Sequence, residues 1–310
     1  MSPPATPHAP PQYRPGLAIL CRCAATVLFT FLWALAKLAS ERGANTVEIL
    51  FYRGLFAAPV VILWTMIGPG LQAVKTRRPG VHLQRTVIGM VSMFFTFYAI
   101  TLLPLAEAST LSFTAPIFST LLSTLLLGER VGIYRIAATL LGFLGVVIVM
   151  LPGFSGHHLP LEGLVVGVIS AVGIACVTVT IRQISDTESA TAIVFWFTLG
   201  TLATTMVLMP WFGQWHHWQV IALLGGTGAI GAVAQLLMTA ALRFAPVAVV
   251  VPFDYTQLIW ATLAGFLLWG TMPHLSTWLG SALIIAAGMV TIYREHRHRI
   301  FRAATPPAAA

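Results

Sequence analysis

Charge is what this sequence has least of. Only 8% of its 310 residues are Asp, Glu, Lys or Arg, and 57% are hydrophobic. A soluble domain carries roughly 25% charged residues, so a soluble globular fold is excluded and a polytopic membrane protein is implied. Acids are scarcer than cations, nine against 17. The cations fall in short loops and at the C-terminus, where they orient a membrane protein rather than bind nucleic acid. Cysteine is nearly absent: Cys21, Cys23 and Cys176 all lie in apolar surroundings, which excludes a disulfide framework or a thiolate metal site. No G-x-S-x-G, P-loop or H-E-x-x-H motif occurs, so neither an enzyme nor a nucleotide-driven pump is expected. No cofactor is called for. The histidine pairs His157-His158 and His216-His217, and His274, fall in predicted outer loops. No acid or cysteine stands at ligand spacing beside them, so no metal is expected.

What is present is a series of apolar runs. Residues 1–16 are Pro-rich and read as a disordered cytoplasmic segment. Residues 17–39 are too long for a signal-peptide core and lack a small-residue cleavage site, so they read as the first span. Ten spans follow from the turn residues: 17–39, 46–67, 83–102, 106–127, 132–150, 161–182, 189–209, 219–242, 246–269 and 276–293. With the N-terminus cytoplasmic, 14 of the 17 Lys and Arg residues fall on the cytoplasmic side, Arg22 and Arg85 among them. Only Lys37, Arg42 and Arg53 remain on the outer half. The positive-inside rule then places both ends in the cytoplasm, with 294–310 as a basic tail.

Pro104–Arg130 organises the chain. It is an apolar helix candidate long enough to cross a bilayer, with charges only at its ends. Ser109, Ser112, Pro116, Ser119 and Ser123 share one stripe of it. Polar groups facing lipid would lose hydrogen bonds, so the stripe is expected to face protein. The stretch returns without gaps as Pro246–Met272 at an offset of 142, pairing Pro104 with Pro246, Thr114 with Thr256 and Gly128 with Gly270. Ile49–Tyr52 meets Ile193–Trp196 at an offset of 144. Two repeats of five spans, 17–150 and 161–293, must enter the membrane from opposite sides, because five is odd. That is an inverted-topology repeat, the architecture of many secondary transporters.

Several motifs carry a further likeness. They are Ala115-Pro116 with Leu127-Gly128-Glu129-Arg130, Gly142–Val149, Ala240–Pro246, Pro252-Phe-Asp-Tyr255 with Gly265, and Glu48–Arg53. Across residues 17–293 the sequence resembles the drug/metabolite transporter superfamily, in particular its EamA-type ten-span carriers. Thr271 departs from the pattern, where an acid often stands. The resemblance implies an alternating-access carrier with its solute path between two five-helix halves. Carriers of this kind handle amino acids, nucleotide-like cofactors, riboflavin, S-adenosylmethionine and cationic drugs. The branch with Glu-x-x-Phe-x-Arg and Pro-Phe-x-Tyr includes S-adenosylmethionine and riboflavin carriers.

Ionisable groups deep in a membrane are costly and are functional candidates by default. Asp254 lies about eight residues, ~12 Å, into the ninth span, with Gln257 on a similar side. Arg53 lies about seven residues into the second span, and its fork suits a carboxylate or phosphate. Arg53 is expected to pair with Asp254 or Glu107, and Glu48 with Lys37. Alternatively Arg53 and Asp254 hold the two ends of a zwitterion. Tyr52, Tyr98, Trp33 and Ser112 are the further candidate substrate contacts, Tyr98 sharing a stripe with Phe94 and Thr101. Glu48, Lys37, Glu107, Pro116, Glu129 and Pro252 are expected to gate or to hold structure. Glu107 opens a helix, where an acid complements the dipole, and Lys37 can snorkel outward.

The expectation is thus an all-α protein of ten transmembrane helices, moving a small polar or zwitterionic metabolite across a cell inner membrane. The bilayer and a small-molecule solute are its partners. Proton coupling through Asp254 or Glu48 and homodimer assembly are compatible with these features. The competing readings are a flippase for lipid-linked precursors and a non-transporting membrane assembly factor.

Overall fold

The computed structural model describes residues 14–68, 70–76, 78–127, 133–154, 159–184, 187–244 and 251–304. Among them every regular element is helical. The α-helices are α1 (Pro15–Glu41), α2 (Thr46–Ile67), α3 (Pro79–Leu102), α4 (Leu105–Ser112), α5 (Ala115–Leu127), α6 (Ile133–Phe154), α7 (Leu161–Ile184), α8 (Ala190–Phe212), α9 (Trp218–Phe244), α10 (Gln257–Trp269) and α11 (Leu275–Ala304). A 3-10 segment, Val251–Thr256, leads directly into α10. Helices α1, α2, α3, α7, α8 and α9 are each long and apolar enough to span a membrane.

The ends of these helices follow from local chemistry. Asn45 caps α2 through a capping box, its side chain accepting from the Glu48 N–H while Glu48 accepts from the Asn45 N–H. Ser189 caps α8 by accepting from Ala192 N. Pro79 opens α3, where its missing N–H costs nothing. Gly270 closes α10 in the left-handed region at φ 65°.

Two expected spans are not continuous. The fourth, placed at 106–127, breaks at Phe113-Thr114 into α4 and α5. Pro116 has no N–H for the Ser112 carbonyl, and its ring crowds the preceding turn. Phe113 and Thr114 bond back to Thr110 and Leu111 in a tighter turn instead. The ninth, placed at 246–269, is 3-10 over Val251–Thr256 and α-helical over Gln257–Trp269, with 246–250 outside the described residues; Pro252 lies in that turn. Under the offset of 142 the first break, Phe113-Thr114, corresponds to Tyr255-Thr256. The two breaks meet: the Phe113 and Tyr255 rings stand edge to face with centroids 5.2 Å apart. Along the stripe of the fourth span Ser109 is fully buried, and Ser112, Pro116 and Ser119 are half-buried. The Ser123 side chain lies outside the described residues.

Helices from the front and back of the chain interlock. Helix α1 packs against α9 and α3 against α7. Helix α2 lies between α8 and α9, α6 against α11, and α4 against α10. The α6–α11 contact is close because both helices present glycine. A Cβ on Gly145 would stand 2.8 Å from the Gly280 carbonyl oxygen, and one on Gly280 would stand 2.6 Å from that of Gly145. The core at the centre includes Leu32, Ile49, Phe97, Ile100, Leu111, Leu224 and Ile284. Outward faces remain apolar, as a lipid environment requires, and Trp211, Trp215 and Trp218 are highly exposed at one rim.

Candidate functional site: a cavity with two arginines

Helices α2, α3, α7, α8 and α9 enclose a cavity of about 140 Å3. Its apolar wall includes Leu50, Val61, Ile181, Ile193, Val194 and Phe197, and its polar atoms come from Arg53, Arg85, Thr198, Thr201 and Gln235. Arg53 comes from α2. Its guanidinium lies 5.8 Å from the Phe97 ring centroid, Nη1 points to the weak acceptor Met93 Sδ, and Nε is shut off from solvent without a partner. Arg85 comes from α3 and is only 7% exposed. It stacks over Phe197 at 4.4 Å, and its Nε and Nη1 are buried without partners. Gly89, one turn on, makes the room. A Cβ there would stand 2.1 Å from Arg85 Nη1 and 2.6 Å from the Phe197 ring.

Asp254 does not pair with Arg53. Arg22 of α1 meets both Asp254 carboxylate oxygens through Nε and Nη2. A guanidinium matches a carboxylate in this two-pronged way. Beside the pair, Thr26 Oγ1 lies 3.2 Å from Thr256 Oγ1. The cluster ties α1 to the turn before α10. Gln257 is nearby in sequence, and its Nε2 is buried without a partner, as is the Tyr255 hydroxyl.

Nor does Glu48 pair with Lys37. Glu48 is fully buried, and besides its cap contact it accepts from Gln214 N at 2.7 Å and meets His216 Nε2 at 2.9 Å. It thereby fastens the start of α2 to the connection between α8 and α9. A second acid–histidine contact fastens the start of α8 to α3: Glu188 meets His82 Nε2 at 3.0 Å and accepts from Thr76 Oγ1 at 2.9 Å. Burial alone would raise the Glu188 pKa, but the contacts from His82 and Thr76 and the nearby Arg78 charge outweigh it and hold it below the ordinary 4.5.

Lys37 donates to Leu103 O at 2.6 Å and Ile100 O at 3.3 Å, capping the last carbonyls of α3. Glu107 is 3% exposed, accepts from Thr277 Oγ1 at 3.1 Å, and keeps Oε2 without a partner. Tyr98 lies apart from the cavity and donates to Glu162 Oε1 at 2.6 Å. Its stripe neighbour Phe94 is 36% exposed. Ser112 returns its hydroxyl to Ala108 O at 3.0 Å. Trp33 and Tyr52 pack against the central core. Glu129 and the Pro252 side chain lie outside the described residues, as do His157 and His158. No cluster of three potential metal ligands occurs among the described residues.

Of the candidate site residues whose side chains are described, Arg53 alone lines the cavity, and Asp254 and Gln257 mark a separate cluster at the second helix break. From sequence, Arg85 and Arg22 are distinguishable only as cations of the cytoplasmic side. The i, i+4 pair Arg85–Gly89 was the available signal, since a glycine there leaves a gap into which the longer side chain can fold.

Helices that span, helices that break near the core and a mostly apolar cavity holding two arginines define a multi-pass membrane protein. The chain belongs to the EamA-like transporter family, which matches it twice, over residues 16–151 and 161–293. It is 29% identical to a riboflavin transporter of Vibrio cholerae over 93% of this chain and 97% of that one. It is 26% identical to an S-adenosylmethionine uptake transporter of Rickettsia prowazekii over 82% of this chain and 85% of that one. A solved crystal structure shares the fold at a TM-score of 0.57 and 22% identity, covering 91% of this chain and 98% of that one.

Proposed function

We propose that the protein is a secondary transporter that moves a small polar organic metabolite by alternating access, with the cavity as its solute site. The observation that carries this reading is the cavity's position. It is walled by α2 and α3 from the first family match and by α7, α8 and α9 from the second, so relative motion of two halves would open it. A 5+5 inverted repeat of ten spans supports that motion, with α4–α5 and the 3-10 turn with α10 each counted as one broken span. Exchanging the halves turns the α1–α9 contact into α7–α3, and returns α2–α8 and α6–α11 to themselves. Discontinuous helices at corresponding positions are a recurrent feature of carrier sites.

In this reading both termini are cytoplasmic, the membrane is a cell inner membrane, and 17–150 and 161–293 are the moving units. Arg53 contacts solute, while Arg22–Asp254 is a latch between α1 and the second helix break. The relatives named for S-adenosylmethionine and riboflavin point to metabolites of that size class. A cavity of about 140 Å3 is close to one that holds benzene, about 150 Å3. A nucleoside-sized solute would therefore require the halves to part further. The test is uptake of radiolabelled S-adenosylmethionine, riboflavin, amino acids and organic acids into vesicles holding the purified protein. Solute-specific, saturable uptake without nucleotide is expected; vesicles no more permeable than protein-free ones to every solute would remove the reading.

A further inference from the structure

Among the described side chains, no negative charge answers the two positive charges that line the cavity. The sequence has nine acids, and the six whose side chains are described are all engaged elsewhere. Glu41 accepts from Trp269, Glu48 from Gln214, Glu107 from Thr277 and Glu162 from Tyr98. Glu188 is held by His82 and Thr76, and Asp254 by Arg22. None of the six lines the cavity. Arginine cannot escape burial by losing its proton, and a buried charge without a partner is strongly destabilising.

The two guanidinium groups also converge. Arg85 Nη1 folds towards Gly89, and Arg53 Nη1 reaches Met93 of the same helix. Residues 89 and 93 are about one turn apart, ~6 Å along the axis. Gly231 of α9 lies beside Arg53, where a Cβ would be in ordinary contact, 3.5 Å from Nε. Two like charges lining one cavity favour a shared anion more strongly than either alone.

We propose that Arg53 and Arg85 form an anion site, and that the solute is a small organic anion held through carboxylate or phosphate oxygens. Its apolar remainder lies among Phe197, Val194 and Ile193. This rests on the carrier reading for its biological sense, but the charge preference stands on the cavity alone. The forked guanidinium groups supply paired N–H donors to oxygens. The Phe197 face holds Arg85 in place by cation–π contact.

The test is thermal unfolding of the full chain in detergent, with benzoate, phenyl phosphate, benzamide and benzamidine as probes at equal ionic strength. Sodium chloride at the same strength is the reference. Benzoate or phenyl phosphate near saturation is expected to raise Tm by about 3 °C or more over chloride, and the larger rise identifies the carboxylate or phosphate preference. Benzamide and benzamidine should leave it unchanged. Arg53→Gln and Arg85→Gln should each abolish the response. Arg85→Gln should also melt, without probe, no lower than the wild type, because it removes an unanswered charge. A structural arginine would instead lower that melting point by several degrees. Equal stabilisation by benzamide or benzamidine, a response surviving in both variants, or no response to either anion beyond chloride would each overturn the anion site. Vesicle uptake of a neutral or cationic solute would then still uphold the carrier, so the two readings fail separately.

Discussion

Asp254→Asn leaves Arg22 without its counter-charge, and the structure sets the scale of the loss. Arg22 is 5% exposed, so its charge cannot turn to water without moving α1. Breaking a fully buried pair by removing one partner costs about 3–5 kcal/mol. The Asp254 side chain is 31% exposed, so solvent screens part of the pair, and roughly 2–3 kcal/mol is expected here. At about 2–4 °C per kcal/mol that is a fall in Tm of roughly 5–10 °C. The reverse variant, Arg22→Met, leaves behind the more exposed partner and should cost less. In the double variant both charges are gone, and it should melt above Asp254→Asn alone. Unfolding followed by tryptophan fluorescence reads all four proteins, and the cycle should show a coupling of about 1–2 kcal/mol. Strict additivity, or a larger loss in Arg22→Met than in Asp254→Asn, would refute the view that a buried Arg22 depends on Asp254.

Three other outcomes follow from named contacts. Gly145→Val puts a branched side chain where a Cβ already meets the Gly280 carbonyl oxygen at 2.8 Å; it should separate α6 from α11 and destabilise the protein by about 1–3 kcal/mol, measured by thermal unfolding. Lys37→Met removes the donor to the last carbonyls of α3 and should cost about 1 kcal/mol, read the same way. Glu188 has a folded pKa held below its ordinary value by His82 and Thr76. Its contribution is therefore complete above about pH 4.5 and lost as pH falls through the lower folded value. A plot of Tm against pH should drop below pH 4.5 in wild type and drop less in Glu188→Gln.

Much of the fold was legible because membrane helices announce themselves. Apolar runs separated by Gly43, Gly68-Pro69-Gly70 and Pro210 place α1, α2, α3, α7, α8 and α9 to within a few residues. The offset of 142 paired the two stretches whose breaks meet at Phe113 and Tyr255. The breaks were less legible. Pro116 and Pro252 marked them, but a proline can kink a helix or end it, and only packing decides which. The site was the least legible part. Asp254 stood out as an acid deep in a span, yet its partner was hidden because Arg22, near a helix start, could equally reach the interface. The same ambiguity hid Arg85, whose inward turn depends on the gap above Gly89 and the Phe197 ring from another helix. Tyr98 shows the converse: it sits beside Phe94 on α3, but helical spacing cannot say which neighbour a stripe faces, and Tyr98 meets Glu162.

The most direct test is the accessibility of the cavity from each side of the membrane. Thr198 lines the cavity. Cys21, Cys23 and Cys176 would be replaced by serine and Thr198→Cys introduced, and sealed vesicles of either orientation treated with a membrane-impermeant maleimide. Alternating access predicts labelling from both faces, each slowed by a bound solute. Labelling from one face only, however long the exposure, would contradict it.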